Sequence, residues 1–438
     1  MPTPSLLIVP ARFKTGKLYS QIPTSGAGDF TVTRNTEARR FDSAGLVASV
    51  ASGIPRLDYA TSGGTVGCPA LLVEPAATNL AFQSENFLTT WVLLSGTIST
   101  GSTAAFTAPD GTTSADLFTE STDVSATNHQ ISQPISTAVV SGTSYTVSCF
   151  FKATAANRSA RLSLTSALFS GSPQAFFDIT SGVVGTATDC TARIENYGNG
   201  WYRCSITAIC DAAGTASVFM GPSSGNTRDY IGNGSASLYL WGAQLETGSV
   251  ATSYIPTTAG TGSRSADVIS VTGAVSGSIG QTEGTIYAEV GYSDNSSIRH
   301  LIALSDGSSS NRIRLRIIAP TTLQMERSLA GSNATMAITI PSSGIVKIAI
   351  GYSSAANGFI AYVNGSQAGI IAAATATFTN ELTRINLGSN SDNAGQLNDR
   401  MLAATLCTTR LTNTQLAFLT SPYTSYSSMA SALSYTLG

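Results

Sequence analysis

From Tyr145 to Phe151 every second residue is apolar: Tyr145, Val147, Cys149 and Phe151, with Thr146 and Ser148 between the first of them. Successive side chains of a strand point to opposite sides, so this alternation marks a strand with one face in a core. The period returns at Leu162 and Leu164, and again at Tyr202, Cys204, Ile206 and Ala208. It reappears at Ile286, Ala288, Val290 and Tyr292, at Ile313, Leu315 and Ile317, and at Val346, Ile348 and Ile350. Asn-Gly, Ser-Gly and Pro-rich turns separate the runs, which predicts many short strands stacked as a sandwich or jelly roll. Within residues 359–370, Asn364-Gly365 suits the positive φ angles of a type I′ turn and predicts a hairpin. Helical signal is confined to residues 411–420, where Thr412 can cap a short helix that buries Leu416 and Leu419. The chain reads as all-β.

A chain of 438 residues exceeds a single core, since domains split beyond about 250–300 residues. Residues 1–80 alternate apolar pieces with turn formers and predict an extended N-terminal segment without a core of its own. Its apolar pieces must be buried by another domain, another copy or a larger assembly. Residues 81–257 read as a jelly roll, and residues 258–267, rich in Ser, Thr and Gly, as a linker. Residues 268–438 read as a second β-sandwich.

Charge and cysteine content exclude several classes. Charged residues are 11% of the chain, 23 basic against 25 acidic, and the net charge is −2. A basic footprint for nucleic acid or anionic lipid is therefore not expected. The apolar run Leu6–Val9 ends at Pro10, too short for a signal peptide. No stretch reaches the roughly 20 apolar residues of a spanning helix, so membrane insertion is not expected. Six cysteines are too sparse for a disulfide scaffold and lack zinc-site spacing. Reduced, structural thiols in a cytoplasm are the expectation.

Particular phrases add a resemblance. RLDY at 56–59, CPALLVEPAATNL at 68–80, SENFLTTW at 84–91 and APDGTTSADL at 108–117 are joined by NGWYRCSITA at 199–208, LYLWGAQLETGS at 238–249 and SYIPTT at 253–258. Together they resemble tailed-bacteriophage virion proteins of the tail fibre, minor tail and appendage type, with a carbohydrate-binding-module-like jelly roll. EGTIYAEV at 283–290 and MLAATLCTTRLTNTQLAFL at 401–419 resemble concanavalin A-like, laminin-G-type lectin and glucanase domains. The resemblance implies a virion protein made in the host bacterial cytoplasm, joined to other virion proteins through residues 1–80 and assembled as a homotrimer. It implies host attachment through surface glycan. Two further roles stay open: a purely structural capsid decoration, head fibre or tail connector, and a polysaccharide depolymerase. The resemblance also implies an Arg before Thr78-Asn79 that would pair with Glu74, a partner Ala77 does not supply.

The residues assign no catalytic, cofactor or metal site. Two histidines, His129 and His300, are too few for a His-rich metal site or a triad. His300 falls in phase with Ile298 and Ile302 and reads as a packed strand residue, and His129 reads as a loop residue. Glu289 stands alone where a glucanase strand would carry alternating carboxylates, so no enzyme is expected. Calcium has candidate oxygen ligands in Asp294, Asn295, Asp306, Asn390, Ser391 and Asp392, all near turns where Asp and Asn also serve the backbone. Trp91, Trp201 and Trp241 read as core residues, whereas Tyr230 and Tyr292 are candidate sugar contacts. Arg312, Arg314 and Arg316 alternate with Ile and Leu and read as a solvated strand face.

Overall fold

The computed structural model describes residues 2–62, 65–100, 106–273, 276–292, 298–355, 358–371, 376–378 and 381–422. It is almost entirely β, with one α-helix among the described residues, Asn413–Thr420. That helix starts as the sequence predicts: the Thr412 side chain accepts from the Gln415 amide while the Gln415 side chain accepts from the Thr412 amide. Leu416 and Leu419 are buried. The hairpin Phe359–Val363 with Ser366–Ile371 turns on Asn364 and Gly365, whose φ angles are 47° and 88°.

Residues 81–257 hold a jelly roll of two six-stranded sheets. One runs in the order Val92–Leu94, Gln130–Pro134, Ser217–Ser223, Ser159–Leu164, Gln174–Asp178, Val183–Thr188. The other runs Gly96–Ser99, Asp116–Glu120, Ala236–Thr247, Ser144–Ala153, Trp201–Ile209, Thr191–Asn196. Val147, Cys149, Phe151, Leu162, Leu164, Cys204 and Ile206 fill the space between them, as their period requires. Cys149 lies directly opposite Cys204, and all six cysteines are free thiols. The three tryptophans are buried, Trp201 and Trp241 in a second apolar cluster with Phe150 and Tyr254.

The second sandwich is built from both ends of the chain. Its eight-stranded sheet follows the order Ser366–Ile371, Phe359–Val363, Gly344–Ser353, Glu283–Tyr292, Asp399–Cys407, Thr65–Val73, Leu57–Ser62, with Leu6–Ile8 also paired to Asp399–Cys407. The nine-stranded sheet facing it runs Phe13–Lys14, Lys17–Leu18, Phe30–Thr33, Val268–Thr272, Arg384–Leu387, Arg299–Ser305, Arg312–Ala319, Thr322–Leu329, Ser332–Thr339. The expectation of an extended N-terminal segment is therefore corrected. Leu6, Ile8, Leu18, Phe30, Val32, Leu57, Leu71 and Val73 share one core with Ile286, Ile313, Leu315 and Ile348. Of the three sources of burial the sequence left open, another domain of the same chain supplies it. The jelly roll is thus an insertion into this sandwich, and the expected linker takes part in its base: Gly262–Arg264 pairs with Ala77–Asn79 where the chain leaves and re-enters.

A buried charge cluster fixes that base. The Arg34 guanidinium donates to Asp267 at 3.0 Å and to four backbone carbonyls, those of Thr36, Val50, Ala51 and Ile54. Arg56 is held by Asp267 and by Glu74 at 2.5 Å, and Arg264 lies 3.0 Å from Glu74. All five residues are buried. Ser253 donates to Glu74 through its amide and hydroxyl. Burial alone would raise the Glu74 carboxyl, but Arg264 and Arg56 outweigh it and hold the group below the usual carboxylate range. Ala77 therefore leaves Glu74 without the expected neighbour but not without a cation.

Candidate functional site

On the nine-stranded sheet, Ile313, Leu315 and Ile317 enter the core, so Arg312, Arg314 and Arg316 project from the opposite face. The adjoining strand does the same with Leu323 and Met325 inward and Gln324 and Glu326 outward. The hairpin register sets Arg314 opposite Glu326, Arg316 opposite Gln324 and Arg312 opposite Ser328. Three guanidinium groups consequently converge on one carboxylate. Arg312 reaches one Glu326 oxygen at 2.8 Å, and Arg314 and Arg316 reach the other at 2.7 and 3.1 Å.

The solvated face expected for this row is thereby corrected. Side-chain exposures are 11% for Arg312, 9% for Arg314, 19% for Arg316 and 4% for Glu326. Alternation predicts which face a side chain takes, not how closely its neighbours crowd it, and three long side chains bundled on one carboxylate screen each other. The Glu326 carboxyl is lowered: burial would raise it, and the hydrogen bonds and charges of Arg314 and Arg312 prevail. Arg316 is lowered by burial and by the like charges of Arg314 and Arg312, against the pull of Glu326. Its Nε and a terminal nitrogen both donate to the same neutral Gln324 amide oxygen, at 2.9 and 2.7 Å.

His300 belongs to this face. A β-bulge between His300 and Ile302 puts His300 opposite Arg316 and Ile302 opposite Leu315. His300 is therefore out of phase with Ile302, which enters the core, and Ile298 is exposed, so the shared face read from the sequence is corrected. Gly395 closes over the ring; a Cβ there would come within 2.7 Å of its Cδ2. Burial, followed by the charges of Arg314, Arg316 and Arg312, lowers His300 to about 3. Across the strand, Arg384 and Asn386 both donate to the side-chain amide oxygen of Asn393, in the loop between Leu387 and Asp399. Several polar atoms here are buried without a hydrogen-bond partner: His300 Nδ1, Arg314 Nε, Arg384 Nε, Asn386 Oδ1 and Ser391 Oγ. On the far side, Asn333, Thr335, Ala337 and Thr339 of the edge strand are exposed.

Other candidates resolve differently. Tyr230 is buried, correcting its reading as an exposed sugar contact: its hydroxyl donates to Glu120 at 2.7 Å, and Arg158 lies over its ring. His129 lies outside any strand, between Thr127–Asn128 and Gln130–Pro134, and is fully buried, stacked on Tyr230 with Nε2 2.7 Å from Asp123. Asn390 accepts from the Asp392 and Ala394 amides, and Asp306 from the Ser308 amide, the turn chemistry available to such residues. Asp294 and Asn295 lie outside the described residues, as does the side chain of Tyr292. Glu289 receives the Tyr287 hydroxyl at 3.0 Å and lies 3.9 Å from Lys347. In the jelly roll, Arg161 donates to the amide oxygens of Gln174, Asn128 and Gln130, and burial foremost lowers it to about 10.

Sequence reasoning missed Glu326 and Gln324. The signal was the short connection between the runs ending at Ala319 and beginning at Thr322, which fixes the hairpin register and so the partners of each arginine.

No family model and no curated protein matches this chain. Among solved structures it is similar to the CBM40 of Ruminococcus gnavus IT-sialidase bound to α2,6 sialyllactose, with 14% identity over 32% of this chain and 84% of that one and a TM-score of 0.29. It is similar to the leech intramolecular trans-sialidase complexed with 2,7-anhydro-Neu5Ac, with 15% identity over 33% of this chain and 24% of that one and a TM-score of 0.30. A SAP-like pentraxin from Limulus polyphemus gives 12% identity over 32% of this chain and 70% of that one, with a TM-score of 0.26. Each likeness is confined to about a third of this chain.

Proposed function

We propose that the chain is a structural component of a tailed-phage particle, of the tail fibre or appendage type, that displays its sandwiches to bind host surface glycan without cleaving it. The observation that carries the reading is the polar face of the nine-stranded sheet, where three arginines, Gln324 and His300 are fixed on rigid strands beside an exposed edge strand. Sugar recognition by a shallow face needs planar donors held in place more than a deep pocket. The phrases shared with virion proteins support the particle assignment. Weak single sites suit a homotrimer, because linked copies raise the effective concentration of each. The test is location and adsorption: antibody against the chain should label the distal tail of the particle that carries it, and the free protein should slow adsorption to host cells. Label confined to the capsid, with no effect on adsorption, would replace attachment by decoration.

A further inference from the structure

The cluster on the nine-stranded sheet is two negative charges short of balance. Among the described residues, Arg312, Arg314 and Arg316 have one carboxylate, Glu326, within ion-pair distance, so three positive charges meet one negative. Exposed arginines would leave such an excess to water, but these are largely screened from it. The shortage is sharpest at Arg316, the most exposed of the three, whose Nε and a terminal nitrogen share the single neutral oxygen of Gln324 where a carboxylate or phosphate would offer two charged oxygens. On the same face lie buried polar atoms without partners among the described residues: Arg314 Nε and, two strands away in register with Arg314, Asn386 Oδ1. Buried polar groups are rarely left so unless water or a ligand completes them.

Resting on the attachment reading, we infer that this face binds an anionic group of a host saccharide, with Arg316 as its principal donor and Arg314 behind it. The shared chemistry is a planar or tetrahedral oxyanion, supplied either by a sugar carboxylate or by a sugar phosphate. On binding, the anion takes the place of the Gln324 oxygen on the Arg316 fork, and Glu326 keeps Arg312 and Arg314. No covalent step is involved.

Substituting Gln324→Glu tests the idea without removing an arginine, since it installs a carboxylate on the Arg316 fork within the fold. Full-length protein and variants would be applied to an array of bacterial polysaccharides printed in three series: uronate-bearing, phosphate-bearing and uncharged. The expected result is retention on one anionic series, which names the source, and at least about tenfold weaker binding for Gln324→Glu and Arg316→Gln, the scale of a lost hydrogen bond to a charged group. Arg161→Gln, in the jelly roll, should bind as the parent does. Equal retention on charged and uncharged series would overturn the anionic ligand but leave attachment standing. Unchanged anion binding in Gln324→Glu, or its loss in Arg161→Gln, would overturn this face as the site. Binding to none of the series would overturn both this inference and the attachment reading.

Discussion

Two arginine clusters, built from the same residue type in one sandwich, differ in how fully they are sealed and how nearly they are balanced. At the base of the jelly roll, Arg34, Arg56 and Arg264 meet Glu74 and Asp267, and Arg34 satisfies its remaining donors on backbone carbonyls. On the sheet face, among the described residues, Arg312, Arg314 and Arg316 meet Glu326 and the Gln324 amide alone, and several polar neighbours go unpartnered. Desolvating an ion costs several kcal/mol unless partners compensate. A cluster sealed inside a joint must therefore be nearly balanced, whereas one at the rim of a face can keep an excess that a ligand completes.

The largest effect should come from removing the arginine that bridges both carboxylates of the sealed cluster. Arg56→Met leaves Glu74 and Asp267 with one guanidinium each and should lower unfolding free energy by about 3–5 kcal/mol. Chemical denaturation of the full chain measures it; a loss under about 1 kcal/mol would mean that the joint does not depend on its charges.

His300 should give an intermediate effect through pH. Its folded pKa, about 3, lies below an unfolded value of roughly 6.5, so the unfolded chain binds the extra proton between these limits. Stability then falls as pH drops through that window, by about 2 kcal/mol from pH 8 to pH 5. His300→Asn should flatten this acid limb relative to the parent. Parallel limbs would show that neither burial nor the neighbouring arginines hold the ring neutral.

The smallest effect is expected at the rim. Arg316→Gln should change unfolding free energy by less than about 1 kcal/mol, as for partly exposed pairs, because Arg312 and Arg314 still hold Glu326. A cost equal to that of Arg56→Met would erase the contrast between the clusters.

Local physics was legible in the sequence. The period of two named the strands and their core faces, Asn364-Gly365 named a hairpin, and Thr412 named the start of the helix, because each depends on neighbours a few residues away. The outward direction of Arg312, Arg314 and Arg316 was read in the same way. Pairing between distant strands was not legible. Nothing local in Thr65–Val73 says that it lies against Asp399–Cys407, since any apolar strand edge offers the same hydrogen bonds. That long-range choice made residues 1–80 part of a sandwich and the jelly roll its insertion. The bulge that turned His300 away from Ile302, and the crowding that buried three arginines on one carboxylate, were also decided by tertiary structure. Both depend on what the neighbouring strands and loops leave room for, and a linear pattern of residue types does not record that room.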